Sequence, residues 1–521
     1  MSIVSVDAHS DSAAHRYVSN NSLPGRRGRI LGWIAAAGIV LALLIMIGAS
    51  LLRSSWMAPA LSTPWPGPPW EIRSIRIPVP AVTIALWLAA LLAAAGLTAG
   101  LAAVRAGVQV SARSVLGAGL LAVAVLTVLP PVGSSDALDY VAYGRMVQIG
   151  RSPYVMTPIE LGRARRSYGQ SVPEEWDHQV TVYGPLATAE QFAAAVLGGS
   201  SAARITFWLK LVNAIAFGAV ALAVHRILRR DPAARLRAHL LWTANPLLLW
   251  GLIAAGHVDA VAAAAGLLGL LLAGTGAVTR SPLRAAMAGL LVGTAADIKI
   301  FYLLFGFGLC WPLRRQPRLA VAAGGGMLAV LVPTYLWFGP PAVDALLARR
   351  NKSTVDNFYQ FFSGPAGYVA RHLMVVAVAA AVLLAILAVR WLPDDVTGPP
   401  GVRPALALSA AWLFVCPYQM PWYDAMLLCL LVLYPASRLD ALVLARLTAG
   451  TVALMPGNPW LPAGAVLSAL AKTSQVVVAP AVLLAAAVGL AALCACRRVM
   501  PRSRTSANAI SSRNPASPVS T

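Results

Sequence analysis

The segment Ser134-Ser135-Asp136-Ala137-Leu138-Asp139-Tyr140 places two carboxylates directly after the apolar run Val115 to Pro131. Acids are scarce in this chain, 19 in 521 residues, so a pair at the edge of an apolar run needs a reason. A carboxylate there is suited to taking a proton from a hydroxyl. Asp136 and Asp139 are three apart, so a helix starting here carries both on one face. Ser134, Ser135 and Asp136 are also good N-cap residues, so plain helix capping competes with catalysis. Further polar groups interrupt apolar runs at Gly256-His257-Val258-Asp259, at Asp297 and Lys299, at Pro417-Tyr418-Gln419-Met420-Pro421-Trp422-Tyr423-Asp424 and at Pro456-Gly457-Asn458-Pro459-Trp460. Each has a plainer reading. His257 and Asp259 can cap a hairpin between helices, Asp297 and Lys299 can neutralise each other, and Trp422 can sit in an interfacial aromatic belt. Their convergence on one side of a membrane is what points to a site for a polar substrate carried on a lipid.

The elements that must position these groups are membrane helices. Hydrophobic residues make up 58% of the chain and charged residues 12%. Runs long enough to cross a hydrocarbon core recur throughout, and they are continuous rather than alternating, which excludes a β-barrel. The fold class is an all-α polytopic membrane protein. Run length and arginine placement give about fourteen spans, near 30–52, 79–103, 115–131, 203–228, 238–255, 260–278, 284–297, 300–313, 319–338, 366–390, 404–417, 422–437, 440–456 and 474–496.

The net charge of +22 suggests nucleic acid, but its placement does not. Arg26, Arg27 and Arg29 precede the first run, Arg226, Arg229, Arg230, Arg235 and Arg237 fill one short loop, Arg314, Arg315 and Arg318 another, and Arg497, Arg498, Arg502 and Arg504 follow the last run. This is positive-inside punctuation against anionic lipid. It puts residues 1–29 and a disordered basic tail, 497–521, in the cytoplasm, with a catalytic membrane domain over 30–496 between them. The extracytoplasmic loops fall near 53–78, 132–202 and 339–365. The last holds Arg349, Arg350 and Lys352; the second holds Glu174, Glu175, Asp177 and His178. Leu186 to Leu197 is apolar but too short to span and reads as an interfacial helix. The polar leader of about 29 residues is long for a signal peptide, so the first run is read as a retained span. The five cysteines lie in or at the ends of apolar runs and read as small buried hydrophobes. There is no internal repeat, no Walker A or Rossmann glycine pattern, and no metal-ligand spacing. No cofactor or metal is expected.

Asp136, Tyr140, Gly144, Gly150, Pro153 and Tyr154, then Tyr183-Gly184-Pro185-Leu186, Asn245-Pro246, Gly256-His257-Val258-Asp259-Ala260, Lys299 and Pro421-Trp422-Tyr423 resemble in order and spacing the motifs of the polyprenol-phosphomannose-dependent α-1,6-mannosyltransferases. These are integral-membrane glycosyltransferases of the GT-C class. The resemblance runs from about residue 130 to 460. Val258 stands where the family has Asn, and Leu138 and Asp139 replace an aromatic and a small polar residue. The alignment matches Asp136, not Asp139, to the family's acid.

The resemblance implies a mannose donor on a polyprenyl phosphate, a growing α-1,6-mannan or lipomannan-type glycolipid acceptor, an extracytoplasmic site in the plasma membrane, and inversion at the anomeric carbon. Single displacement needs one general base, for which Asp136 is the candidate. The leaving phosphate calls for cations or hydrogen-bond donors, for which Lys299, His257, Arg349 and Arg350 are the candidates. Asp139, Tyr140, Tyr154, Tyr183, Asp259, Trp422 and Tyr423 are candidates for binding substrate, with Asp259 expected to orient His257 or bind a sugar hydroxyl. The alternatives are a transferase of another polyprenyl-phosphate-linked sugar, a transporter or flippase of lipid-linked glycans, and a non-catalytic membrane scaffold.

Overall fold

A computed structural model describes residues 25–52, 66–72, 75, 77–134, 136–164, 177–274, 281–348, 352–362, 368–393, 398–454 and 464–496. Residues 1–24 of the expected N-terminal tail, the whole expected C-terminal tail, Glu174, Glu175, Arg349, Arg350 and the segment 456–460 lie outside these, while the N-terminal tail's last residues, from Arg26 on, already belong to the first helix. Among the described residues every regular element is a helix, apart from one isolated bridge between Leu52 and Ile72. In chain order they are α1 (Arg26–Leu51), α2 (Val79–Arg105), α3 (Ala112–Thr127), α4 (Asp136–Gln148), α5 (Pro158–Ala164), α6 (Pro185–Gly198), α7 (Ala202–Ile227), α8 (Pro232–Leu241) and α9 (Pro246–Leu249). There follow α10 (Asp259–Ala273), α11 (Pro282–Ile298), α12 (Leu303–Leu313), α13 (Pro317–Phe338), α14 (Pro340–Ala348), α15 (Tyr368–Trp391), α16 (Val402–Val415), α17 (Asp424–Leu431), α18 (Leu439–Leu454), α19 (Ala465–Thr473) and α20 (Ala479–Ala495).

Six helices are long and apolar enough to cross a bilayer: α1, α2, α7, α13, the His372–Trp391 part of α15, and the run Ala465–Ala495. A bent pair, Pro246–Ala254 with Asp259–Ala273, can form a seventh span, and four shorter apolar helices accompany them. The protein is a multi-pass membrane protein. Its outer wall is apolar: Val321, Leu336 and Trp337 of α13 and Val375 of α15 are each more than two-thirds exposed. Such a surface is stable against lipid tails and not against water.

Close packing between the spans rests on small residues, as it must where lipid offers no hydrophobic drive to associate. α1 crosses α2 at Gly38 and Gly96, where a Cβ on Gly38 would lie 2.9 Å from the Gly96 Cα. Gly289 and Gly293, four apart on α11, meet α13 at Ala323 and Met327 in the same way.

The expected span 238–255 is interrupted. α8 ends at Leu241, and a new helix starts at Pro246. Pro246 has no N–H to donate and restricts the residue before it. Asn245 instead caps the new helix, its Oδ1 accepting from Leu247 N and Leu248 N. A π-helical turn, Trp250–Ala254, follows, and the chain then bends by 108° into α10. Gly256 makes the bend with a φ of +79°, which an L side chain rarely adopts. His257 and Asp259 therefore sit at the break of a span, not inside a continuous helix.

Gly96→Ala should destabilise the protein by about 1–3 kcal/mol through overpacking against α1. Gly117→Ala, where nothing lies within 4 Å, should be neutral or stabilising. Thermal unfolding of both variants in detergent checks this.

Candidate active site

The loop before α4 is fixed by a glycine. Gly133 has a φ of +96°, and a Cβ there would collide with the Trp250 indole. Val132 N donates to Ala254 O at 3.1 Å, so the loop is tied to the π-helical turn of the broken span. Ser134 Oγ donates to Asp136 Oδ1 at 2.7 Å and accepts from Asp136 N at 3.2 Å. Helix α4 then carries Asp136, Asp139, Tyr140 and Tyr143 on a face lining a cavity of about 670 Å3.

Opposite walls come from distant segments. Tyr183, just before α6, is brought in because Gly184 packs directly on the Asp297 carbonyl and donates from its N–H to Ile298 O. Tyr140 Oη donates to Tyr183 Oη at 2.7 Å and lies 3.1 Å from His257 Nδ1. Lys299, in extended backbone between α11 and a 3-10 turn, lines the cavity with Tyr183, Tyr418, Trp422 and Tyr423. The other side is apolar, built by Leu303 and Leu304 of α12, Met374, Val378 and Val382 of α15, and Leu408 and Trp412 of α16. The cavity thus joins two acids, two lysines (Lys299 and Lys352) and a tyrosine cluster to a wall suited to hydrocarbon.

Asp297 and Lys299 do not neutralise each other. Lys299 Nζ sits 2.7 Å from both carboxylate oxygens of Asp259 and 3.9 Å from the Tyr423 ring centroid. Asp297 turns the other way. Its Oδ1 accepts from Leu186 N at 2.6 Å in the first turn of α6, and its Oδ2 accepts from Thr334 Oγ1 at 2.5 Å. Residues two apart point to different sides, and a carboxylate near a helix N-terminus is stabilised by the exposed N–H groups.

Three expected substrate contacts also move. Asp259 neither orients His257 nor reaches the cavity wall; it is fully buried as the counter-ion of Lys299. His257 is fully buried behind Tyr140, stacked at 3.5 Å on Trp422, with Nδ1 3.6 Å from Asp136 Oδ2. It braces the site and is not placed to touch a phosphate in the cavity. Tyr154 lies behind the wall, donating to Tyr183 O at 2.9 Å and packing on Phe338. Asp136, Asp139, Tyr140, Tyr183, Lys299, Trp422 and Tyr423 all reach the cavity.

Tyr143, the apolar wall, Lys352 as a lining residue and Arg446 do not stand out from the sequence alone. Arg446 of α18 is buried; its guanidinium donates to Asp424, to Leu413 O at 2.9 Å and to Gln419 Oε1 at 3.4 Å. It thereby pins both ends of the segment bearing Tyr418, Trp422 and Tyr423. A lone arginine inside an apolar run was the available signal.

Burial pushes the Asp136 carboxyl up to about 6, against the opposing pull of its Ser134 hydrogen bond and the Lys299 charge. Burial, with the Asp136 charge added, pushes Asp139 well above the usual carboxylate range. One of the pair ionises near neutrality and the other resists it.

Removing one partner of a buried ion pair costs about 3–5 kcal/mol. Lys299→Met should therefore lower thermal stability by that order, and adding Asp259→Asn should recover most of it. Adding Asp297→Asn should recover none. Melting curves of the three variants distinguish the pairings.

Residues 29–314 match the family described as Alpha-(1->6)-mannopyranosyltransferase, N-terminal domain. The chain is 31% identical over 150 residues to a probable alpha-(1->6)-mannopyranosyltransferase of Mycolicibacterium smegmatis, covering 29% of this chain and 26% of that protein. It is 30% identical over 149 residues to an alpha-(1->6)-mannopyranosyltransferase of Mycobacterium tuberculosis, covering 29% and 24%. Over 152 residues it is 26% identical to alpha-(1->6)-mannopyranosyltransferase B of Corynebacterium glutamicum, covering 29% and 24%. The alignments span about a quarter of the length of these relatives. No solved structure matches the chain. With more than half of its length matched, Asp136, His257, Asp259 and Lys299 included, the chain belongs to the alpha-(1->6)-mannopyranosyltransferase family.

Proposed function

We propose that this protein transfers mannose from a polyprenyl-phosphate donor to an α-1,6-mannan-type glycolipid, with inversion, at the extracytoplasmic face of the membrane. The observation that carries the reading is the composition of the cavity. It sets Asp136 and the Tyr140–Tyr183 pair beside a lysine on one side and a hydrocarbon-compatible wall on the other. A sugar phosphate needs the first and its lipid the second. Family membership supplies the sugar and the reaction class.

The step balances with one base. The acceptor hydroxyl oxygen forms the bond to the anomeric carbon, and its proton passes to the Asp136 carboxylate. The bond from that carbon to the phosphate oxygen breaks, and its electron pair leaves with the polyprenyl phosphate. That phosphate is already anionic, so no acid has to protonate it. Lys299, held by Asp259 and packed on the Tyr423 ring, opposes the rise of the Asp136 pKa and so helps keep the base ionised. Asp136 ends its turn protonated and returns the proton to water.

One observation favours a transporter of lipid-linked glycans: a span broken at 108° with ionisable groups at the break. Those groups are, however, spent on Lys299 and on Tyr140, and the family is one of transferases.

Membranes from a host expressing the chain, given labelled polyprenyl-phosphate mannose, should place label in glycolipid. Unlabelled glycolipid with an intact donor would sink the proposal. Asp136→Asn should insert and fold normally but lose at least about 100-fold in turnover, the lower range for a missing general base. In the wild type the base is active as the carboxylate, so turnover should fall as pH drops through about 6. A flat profile from pH 5 to 8 would remove Asp136 as the base.

Orientation is tested separately with single cysteines in a Cys-less background. Ser200 and Val343 are exposed on the side assigned outside, and Arg230 on the arginine-rich side. An impermeant thiol reagent applied to intact cells should label Ser200→Cys and Val343→Cys and miss Arg230→Cys. The opposite pattern would put the cavity in the cytoplasm.

A further inference from the structure

Four charged side chains line the cavity among the described residues: Asp136, Asp139, Lys299 and Lys352. Lys299 is already neutralised, with both oxygens of a fully buried carboxylate at 2.7 Å. Its ammonium therefore brings little uncompensated charge to a ligand. Lys352 differs. It is exposed to the cavity, and no ion pair reaches it among the described residues.

Its position is held from two residues away. Thr354 N donates to Pro417 O at 3.1 Å, and Gln419 N donates to Thr354 Oγ1 at 3.2 Å. Tyr359 Oη closes the same seam on Val415 O at 2.7 Å. The segment bearing Lys352 is thus stitched to the segment bearing Tyr418 and Met420, which are cavity walls themselves. Leu346 and Leu347, a few residues before Lys352, extend the apolar wall toward it. A lysine is a flexible point charge whose four-carbon stem can lie along such a surface while its head meets an anion.

We propose that Lys352 binds the phosphate of the lipid donor and holds it as it leaves. This rests on the transferase reading above. In the donor the phosphate is a diester with one negative charge. When the bond to the sugar breaks, the electron pair goes to the phosphate oxygen and the group approaches two negative charges. An uncompensated cation gains as that charge develops, so Lys352 favours the departing state over the bound donor. Lys299, tied to Asp259, packs against the Tyr183 and Tyr423 rings and does not carry this load.

The test uses the purified full chain in detergent with farnesyl phosphate, a soluble prenyl monophosphate, and farnesol as its uncharged match. Farnesyl phosphate should raise the melting temperature of the wild type and of Lys352→Arg. Lys352→Gln should need at least tenfold more, a loss of about 1.4 kcal/mol, and the wild-type response should weaken in high salt. Farnesol should act alike on all three. Lys352→Gln responding as the wild type does, or a wild type blind to farnesyl phosphate, overturns the assignment. In the transfer assay, Lys352→Gln should lower turnover and raise the inhibition constant of polyprenyl monophosphate more than the donor KM. A wild type that binds farnesyl phosphate through Lys352 but transfers no mannose leaves the phosphate site standing and refutes the proposed reaction alone.

Discussion

A charge cannot be buried in a membrane protein without a partner, and the site is organised around that constraint. Lys299 and Asp259 are both removed from water, and neither would be stable ionised alone at such depth. Their pairing joins the start of α10 to the end of α11 across 40 residues of sequence. The rest leans on it. Tyr423 packs over the lysine head, Trp422 stacks on His257, and His257 reaches Tyr140 and the neighbourhood of Asp136. The same logic recurs one layer back, where Arg446 and Asp424 neutralise each other while fixing the strip that bears Trp422 and Tyr423. Arg237 and Asp440 do so toward the far end of α8 and α18. Buried pairs of this kind add little net stability, but breaking one leaves a stranded charge. They therefore act as register pins between helices whose apolar surfaces would otherwise slide.

The break at Gly256 is what makes the first of these pairs possible. A continuous helix through 246–273 would spread His257 and Asp259 around its axis and shield their backbone. Bending at Gly256 presents both at one corner, and the helix that starts at Asp259 carries its acid in the first turn, where the helix dipole favours it. The cost is irregular backbone at membrane depth. It is tolerated because the corner is wrapped by protein: Gly256 lies against the Lys210 stem, and Ala254 O accepts from Val132 N. That last bond also sets the loop leading to Asp136. One bend thus determines both the counter-ion of Lys299 and the approach of the candidate base.

Much of the scaffold was legible in the sequence because apolar run length maps onto helix length. The expected runs 79–103, 203–228 and 404–417 are the helices Val79–Arg105, Ala202–Ile227 and Val402–Val415. The failure at 238–255 has a local cause. Asn245-Pro246 is a stop and restart signal, but the surrounding leucines and tryptophans carry hydropathy straight across it. The partner of Lys299 is hidden from the sequence for a different reason. Asp297 is its neighbour in sequence, and nothing in a one-dimensional pattern says that an extended residue turns its side chain away from a partner two positions back. The true partner lies 40 residues upstream in another helix. Distances of that kind belong to packing, and apolar helices built of Ala, Leu and Val leave packing unspecified until glycines such as Gly38 and Gly96 are known to face each other.

Two acids on one face were the first feature of the sequence to suggest chemistry, and their surroundings give them different characters. Both are pushed up by burial, but only Asp136 has a hydroxyl donating to its carboxylate and Lys299 drawing its pKa back down. Asp139 feels the Asp136 charge as well, and its Oδ1 has no hydrogen-bond partner among the described residues. Two such groups titrate as a coupled pair, and the first proton to leave comes from the better-solvated member. The second is then held more firmly, because the first is charged. Asp139 thus resists ionisation more than Asp136 does, which is the direction that a base beside a hydrogen-bond donor requires. Capping alone would have left both ionised at a helix end. Burial raises both, and the Ser134 hydroxyl and the Lys299 charge acting on Asp136 alone separate them.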